Sequence, residues 1–337
     1  MHIEEIRYGG EELLRVKQFL QKMEIDYIQD IEYTISIVEG EKIIGTGSVE
    51  GNVLKCIAID PVYRGFGLAA TIISNLMQYE VDRGILHVFL YTQPRNAQLF
   101  EKLGFFEILK TREIVFLENK KNGFENFRKR LLAETPKKNF ENGMINGAIV
   151  ANCNPFTKGH RYLIEKAAEK SDFLHVFLLS DQRMDFSVEE RFEMVEKGIC
   201  DLTNVVLHTT SDYLVSAATF PTYYYKDKKM AEKANCLLDI EIFTNLIAPA
   251  LKITQRFIGT EPNCRITYQY NEMLKRILPE YAIQCVEIER IKIEETPVSA
   301  STVRKLLSVG EFEKVRNFVP DNTYTYLYNK MLKKVNS

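Results

Sequence analysis

The stretch from Gly147 to Ala168, GAIVANCNPFTKGHRYLIEKAA, decides how the second half of this chain folds. Its apolar run from Ala148 to Ala151 predicts a short buried strand. A polar turn follows, and Thr157 then opens a segment whose apolar residues recur at helical spacing. The sequence therefore predicts a strand, a turn and a helix whose first N–H groups face the turn, an arrangement that binds phosphate.

Two residues at the predicted start of this helix suit a nucleotide. Gly159 has no side chain, so a phosphate can approach the backbone closely. His160 can donate a hydrogen bond to a phosphate oxygen when its imidazole faces the turn. An ordinary strand-to-helix turn with a surface histidine would show the same spacing, so spacing alone leaves that alternative open. Cys153, inside the turn, is expected to be a small buried filler, because the sequence places no partner histidine beside it.

Size and composition allow two domains and argue against some classes of protein. The chain has 337 residues, of which 45% are hydrophobic, and a formal net charge of −2. The length and the hydrophobic content are enough for two cores. The net charge lacks the strong basic excess of most nucleic-acid-binding proteins. The six cysteines form no Cys-x-x-Cys pair, so we expect no metal-binding residues. Without a signal peptide or a membrane-length apolar run, we expect a cytoplasmic protein with no membrane or nucleic-acid partner.

Residues 1–118 are expected to form the first domain. Helices are predicted at about Glu11–Met23 and Leu68–Asp82, and a short helix is predicted to end at Gly104. The predicted strands are Tyr33–Val38, Lys42–Glu50, Val53–Asp60, His87–Tyr91, Phe106–Lys110 and Glu113–Leu117.

A glycine-rich loop, DPVYRGFGLA from Asp60 to Ala69, joins a predicted strand to a predicted helix. Its glycines expose consecutive N–H groups at a helix start, a concavity that suits pyrophosphate. The loop and the segment NAQLFEKLGF from Asn96 to Phe105 resemble the GNAT acyltransferase family over most of residues 30–117. That resemblance implies a GNAT-like α/β fold that binds a coenzyme A-type arm through Arg64, Gly65, Gly67, Leu68, Ala69 and Asn96.

The sequence places no convincing general base in this first domain. Tyr91 could serve as an acid, but a buried strand tyrosine is the commoner situation. Whether the domain is catalytic or only binds the arm therefore stays open. Residues 119–146 are expected to form a helical linker, whose basic run is either a solvated face or a landing patch for an acidic carrier protein.

Residues 147–337 are expected to form the second domain, where strands and helices alternate as in a parallel sheet. Ser187 and Glu190 predict a capping box at a helix start. A strand from Arg256 to Gly259 is expected to end at the ligand-binding edge of the sheet. The three consecutive tyrosines Tyr223–Tyr225 predict a substrate-facing or lid loop, because they cannot all face one core.

Two motifs of this domain resemble one superfamily. TKGH at 157–160 resembles the T-x-G-H form of the nucleotidyltransferase signature, and VSASTVR at 298–304 resembles the I-S-S-T-x-x-R motif, with Ala300 in place of one serine. The resemblance implies a Rossmann-like parallel sheet, ATP as substrate and Mg²⁺ bridging its phosphates. It implies His160, Lys158 and Arg304 as catalytic residues. The implied ATP-binding residues are Asn152, Asn154, Pro155, Phe156, Thr157, Gly159, His160, Gly259, Thr260, Glu261, Ser299, Ser301, Thr302 and Arg304.

The presence of both domains in one chain narrows the resemblance to a single family. CNPFTKGHRYLIEKA at 153–167 and GTEPNCRITYQYNEML at 259–274 resemble the citrate lyase ligase family, over nearly the whole chain. This implies that ATP and acetate give acetyl-adenylate and pyrophosphate. The acetyl group would then pass to the thiol of a CoA-like prosthetic group on the acyl-carrier subunit of citrate lyase, releasing AMP.

Two other classes stay open on the sequence. One is a nucleotidyltransferase with an independent N-acetyltransferase domain, and it would release pyrophosphate without any carboxylic acid. The other is a non-catalytic regulator that binds nucleotide and acetyl-CoA.

Overall fold

The computed structural model describes residues 1–6, 10–27, 31–180, 184–214, 236–261, 264–293 and 296–335. The predicted tyrosine loop, Tyr223–Tyr225, lies outside these ranges. The chain divides into two compact units, one running from Met1 to Glu125 and one that begins at Asn126 and takes most of the described residues after it. No helix in the described ranges is long and apolar enough to cross a membrane.

The first unit is a mixed sheet with helices. Its strands are β1 (His2–Glu5), β2 (Tyr33–Glu39), β3 (Lys42–Glu50), β4 (Val53–Ile59), β5 (Phe89–Thr92), β6 (Phe106–Lys110) and β7 (Val115–Glu118). They form one seven-stranded sheet in the order β1-β2-β3-β4-β5-β7-β6. Its helices are α1 (Glu11–Lys22), α2 (Leu68–Asp82) and α3 (Ala97–Lys102).

Each side of this sheet has its own apolar core. The core beneath α2 includes Leu68, Ile72 and Leu76, all buried. The core beneath α1 includes Val16 and Leu20, which are fully buried. Helix α2 begins and ends where the sequence predicts, at Leu68 and Asp82. A glycine with positive φ precedes it, and its apolar residues recur at regular helical spacing. Strand β1 was not predicted from the sequence.

The cleft of the first unit arises where two parallel strands separate. β4 and β5 pair in parallel at Val53 with Phe89 and at Leu54 with Leu90. Beyond these pairs a cavity of about 670 Å³ opens, lined by Ile57–Ile59 of β4, by Thr92 at the end of β5, and by Gln93, Arg95 and Asn96 after it.

The second unit is a parallel α/β structure. Most of the helix α4 (Gly123–Glu134) belongs to this unit, and Arg130 of this helix donates to the Thr209 carbonyl oxygen at 2.7 Å. Its strands are β8 (Asn146–Ala151), β9 (Phe173–Leu178), β10 (Val205–Thr209), β11 (Ile253–Gly259) and β12 (Gln284–Ile288), with a small hairpin of β13 (Lys292–Ile293) and β14 (Thr296–Pro297).

The five main strands are ordered β10-β9-β8-β11-β12 and pair in parallel throughout. The helices are α5 (Lys158–Ala168), α6 (Val188–Gly198), α7 (236–242), α8 (Ala248–Ala250), α9 (Arg265–Ile277), α10 (Ala300–Ser308), α11 (Phe312–Val315) and α12 (Asp321–Val335). A wider helical turn, Phe243–Ile247, joins α7 to α8. The α/β fold with a parallel second domain that the sequence predicts is confirmed.

Candidate active site

A cleft of about 530 Å³ lies at the carboxyl ends of β8 and β11. These strands are neighbours in the middle of the sheet, and the chain leaves β8 toward β9 on one side while β11 lies on the other. Such a reversal of strand order opens a crevice where α/β proteins bind ligands. The cleft walls come from the turn after β8, the end of β11, the start of α9 and the start of α10.

His160 is fixed at the start of α5 by a reciprocal cap. The Thr157 hydroxyl oxygen accepts from the His160 N–H at 3.3 Å, and the Thr157 N–H donates to His160 Nδ1 at 3.1 Å. The Thr157 hydroxyl also lies 2.9 Å from Nδ1. Because Nδ1 accepts these bonds, the neutral ring carries its proton on Nε2. His160 therefore offers one N–H donor to the cleft that it lines.

This imidazole is neutral at physiological pH. Desolvation in the cleft wall and the nearby Arg290 cation lower the pKa of His160 to about 4. A neutral donor polarises a phosphate oxygen without drawing a compensating anion into the site. His160 is thus suited to hydrogen bonding rather than to general acid or base catalysis.

Arg304 of α10 reaches across to the turn after β8. One of its nitrogens donates to the Asn154 carbonyl oxygen at 2.6 Å, and its Nε lies 3.1 Å from Asp185 Oδ2. The Asn154 amide donates to the same carboxylate at 3.1 Å and accepts from the Phe186 N–H at 3.2 Å. Two motifs that lie far apart in the sequence are therefore joined directly, and a permanent positive charge stands at the cleft.

The starts of α5 and α10 also touch through backbone. A Cβ on Gly159 would lie 3.0 Å from the Val298 carbonyl oxygen, so a larger residue here would press on the backbone of the second motif. Ser299 caps α10, and its hydroxyl accepts from the Thr302 N–H at 3.1 Å. The first residues of two helices, Gly159 and His160 of α5 and Ser299 to Ser301 at α10, therefore line one cleft.

Arg191 supports the turn from below. This side chain is fully buried on α6. It donates to the carbonyl oxygens of Phe186 at 3.0 Å, Asn152 at 2.8 Å and Leu179 at 2.7 Å. One guanidinium therefore holds the ends of β8 and β9 and the start of α6 together. The predicted capping box of Ser187 and Glu190, which begins this helix, is confirmed.

The structure brings most of the predicted ATP-binding residues to one place. Those that line the cleft are Asn152, Asn154, Thr157, Gly159, His160, Gly259, Glu261, Ser299, Ser301 and Arg304. The predicted residues Pro155, Phe156, Lys158, Thr260 and Thr302 do not line it. Phe156 is completely buried beneath the turn. The Lys158 ammonium donates to the Arg316 carbonyl oxygen at 3.2 Å, away from the cleft.

Sequence reasoning missed two arginines of the cleft, Arg256 and Arg290. Arg290 lies 2.9 Å from Glu261 Oε2, and its N–H donates to the Thr260 hydroxyl at 3.0 Å. This explains why Thr260 supports the cleft wall without facing the cavity. Neither arginine lies in a recognisable motif. Their positions in the cleft depend on which distant strands pair in the sheet, and the sequence alone did not predict that pairing.

The predicted filler role of Cys153 agrees with its surroundings. The side chain is completely buried, and burial raises the pKa of its thiol to about 12. Such a thiol is not nucleophilic at neutral pH. In the described ranges, no three histidine, cysteine or acidic side chains group in a way that could hold a metal ion.

The first unit carries the predicted arm-binding loop at the edge of its own cleft. Gly65 and Gly67 have φ values of 87° and 78°, which only glycine adopts readily, and Gly67 caps α2. Arg64, Ala69 and Asn96 line the cavity between β4 and β5, whereas Leu68 packs in the core. Tyr91 is buried in β5, which agrees with the expectation that it is an ordinary buried strand tyrosine.

Fold and site define a protein of two parts, a GNAT-like α/β unit followed by a parallel α/β unit whose cleft lies at the carboxyl ends of β8 and β11. The family described as the citrate lyase ligase C-terminal domain matches residues 146–327, and the acetyltransferase (GNAT) domain family matches residues 4–116. The chain belongs to the citrate lyase ligase family, and it is therefore an enzyme of the ligase class.

Two relatives support the assignment of this chain to the family. The citrate (pro-3S)-lyase ligase of Escherichia coli strain K12 is 36% identical over 329 residues, which span 96% of this chain and 92% of that protein. The corresponding protein of Klebsiella pneumoniae is 38% identical over 317 residues, spanning 93% of this chain and 91% of that protein. Among solved structures, Thermotoga maritima TmcAL with bound alpha-thio ATP has a TM-score of 0.35 and 17% identity, covering 56% of each chain.

Proposed function

We propose that this enzyme activates acetate with ATP and transfers the acetyl group to the thiol of a CoA-like prosthetic group on the acyl-carrier subunit of citrate lyase. The main structural support for this proposal is the hydrogen bond from the Arg304 guanidinium to the Asn154 carbonyl oxygen, at 2.6 Å. It brings the donors of both nucleotide motifs to a single cleft. The relatives' names, citrate (pro-3S)-lyase ligase, support the choice of partner.

In the first step, an acetate oxygen attacks the α-phosphorus of ATP. A new P–O bond gives acetyl-adenylate, and the bond to the bridging oxygen breaks to release pyrophosphate. The chain's task is to align the reactants and to stabilise charge on the phosphates. His160 Nε2–H and the start of α5 suit the phosphate under attack, while Arg304 and the start of α10 suit the leaving pyrophosphate.

In the second step, the thiol sulfur attacks the acetyl carbon. A C–S bond forms, the C–O bond to phosphate breaks, AMP leaves and the thiol proton is lost. We propose that the first unit acts as the cradle for the prosthetic arm, with the loop of Gly65 and Gly67 on its pyrophosphate. The separated strands β4 and β5 would then admit the extended pantetheine chain.

Mg²⁺ would arrive with the phosphates of ATP, where it neutralises charge on the departing pyrophosphate. An ion held mainly by substrate phosphates and water needs only one or two protein carboxylates. Asp185, which is 59% exposed beside Arg304, fits that modest demand.

Acetate-dependent exchange of labelled pyrophosphate into ATP tests the first step without any carrier. We expect exchange with wild-type enzyme and acetate, and a loss of about a hundredfold or more in His160→Ala and in Arg304→Ala. Exchange that proceeds equally without a carboxylic acid would instead indicate a nucleotidyltransferase beside an independent acetyltransferase. Absence of exchange both alone and with added acyl-carrier subunit would contradict the proposal.

A further inference from the structure

Arg256 is a buried cation in the wall of the candidate active site. Its side chain is 3% exposed, in the interior of β11, and it lines the cleft. Its guanidinium carbon lies 4.3 Å from the centroid of the Phe243 ring. The Nε atom is buried with no hydrogen-bond partner, and within the described ranges no carboxylate forms an ion pair with this side chain.

The other cleft arginines differ in this respect. Arg304 is paired with Asp185 at 3.1 Å, and Arg290 is paired with Glu261 at 2.9 Å. Arg191, beneath the turn, donates to three carbonyl oxygens. A buried guanidinium whose Nε–H has no partner, and which forms no ion pair among the described residues, bears a desolvation cost that its surroundings offset only in part. Such a side chain fits a site whose anion arrives with the ligand.

We propose that Arg256 binds the carboxylate of the acid substrate, an inference that rests on the proposed adenylate-forming function. Its position separates it from the phosphate donors. Arg256 lies three residues before Gly259, the last residue of β11, which places it roughly 10 Å down the strand from the edge where the helix N-termini lie. A small carboxylate reaches such a place, while the triphosphate occupies the donors at the edge.

The chemistry requires a cation at this point. Acetate is an anion, and it must approach an α-phosphate that is itself negatively charged. A guanidinium that donates to one carboxylate oxygen lowers this repulsion and leaves the other oxygen available to attack phosphorus. After the attack, the oxygen held by Arg256 becomes the carbonyl oxygen of the acyl-adenylate, so no proton has to move.

The test compares Arg256→Met with wild-type enzyme in the carrier-free pyrophosphate exchange assay. We expect the KM for acetate to rise roughly tenfold to a hundredfold, because a charge-assisted hydrogen bond is lost, while the KM for ATP stays within about twofold of wild type. Arg276→Gln, on the exposed side of α9, is the matched control and should change neither constant.

A second measurement separates a substrate-binding residue from a structural one. Because Met removes an unpaired buried charge and keeps most of the volume, we expect the melting temperature of the substrate-free Arg256→Met enzyme to equal or exceed that of wild type. A lower melting temperature with an unchanged KM for acetate would mean that Arg256 serves the fold, and would overturn the inference.

The remaining outcomes are also decisive. A rise in the KM for ATP instead of acetate would assign Arg256 to a nucleotide phosphate and would overturn the inference. Loss of folding in Arg256→Met would do the same, because it would show that the cation is needed by the fold. Wild-type exchange that needs no carboxylic acid would be a failure of the proposed function, recognisable before any variant is made.

Discussion

At the scale of single residues, Gly159 shows how closely the motifs at 157–160 and 298–304 pack against each other. The sequence suggests that this glycine makes room for a nucleotide. In the structure its missing side chain also makes room for the Val298 carbonyl oxygen, which a Cβ would meet at 3.0 Å. The first motif therefore contains a residue that packs tightly against the backbone of the second.

Gly159→Ala should separate the starts of α5 and α10 by a few tenths of an ångström. We expect acetate-dependent pyrophosphate exchange to fall by about tenfold or more, because misplaced donors no longer match the phosphates. The melting temperature should drop by only a few degrees, since alanine is otherwise favourable in a helix. Ser308→Ala, at the exposed end of α10, should leave exchange unchanged. Full activity in Gly159→Ala would contradict a shared phosphate site.

The sequence identified residues within motifs and missed those outside them. His160, Ser299 and Arg304 stand in strings whose spacing is recognisable, and all of them line the cleft. Arg256 reads as part of an ordinary buried strand, and its place in the cleft follows from the neighbours of β11 in the sheet. Conversely, Phe156 belongs to the motif string but packs in the core, because a tight turn needs an apolar anchor as well as ligand contacts.

At the scale of elements, α6 acts as a clamp on the turn after β8. Arg191 donates to the carbonyl oxygens of Phe186, Asn152 and Leu179 at 2.7–3.0 Å. These three residues come from different segments, and a planar guanidinium can reach all of them at once. The geometry of the turn after β8 therefore depends on a helix that contributes no side chain of its own to the cleft.

Arg191→Lys should loosen this clamp. A compact ammonium cannot reproduce the three bonds, so we expect the free energy of unfolding to fall by about 2–4 kcal/mol. The KM for ATP should rise in the same variant. Urea denaturation and pyrophosphate exchange measure the two effects.

The same helix offers a control. Lys197→Ala removes an exposed ion pair with Glu193 that is 2.6 Å long, and it should cost no more than about 0.5 kcal/mol. If Arg191→Lys proved as mild as Lys197→Ala, the clamp would not contribute to the site.

Elements with regular apolar spacing were predicted well, and those with mixed faces were not. β3, from Lys42 to Glu50, and α2 match their predicted limits. β12 and α9 were not predicted. β12 lies at the edge of its sheet with most of its side chains partly exposed, so its sequence, QCVEI, lacks the apolar run of a central strand.

At the scale of the whole molecule, the two units have separate apolar cores. Calorimetry should therefore show two thermal transitions rather than one. A non-hydrolysable ATP analogue at about a hundred times its Kd should stabilise the second unit by about 2.7 kcal/mol and raise one transition by several degrees. Coenzyme A should raise the other transition. A shift of the same transition by both ligands would contradict the assignment of one ligand to each unit.

The parallel order of the second sheet bears on how such an enzyme can diversify over evolutionary time. Because every main strand points the same way, all the loops that meet the ligand gather at one edge, while the opposite edge and the core beneath remain untouched by changes in them. If Arg256 binds the acid, as proposed, a descendant with an altered wall around this residue would keep the helix starts that are proposed to bind the nucleotide. On that proposal, the acid that the enzyme accepts can change during evolution independently of the nucleotide that drives the reaction.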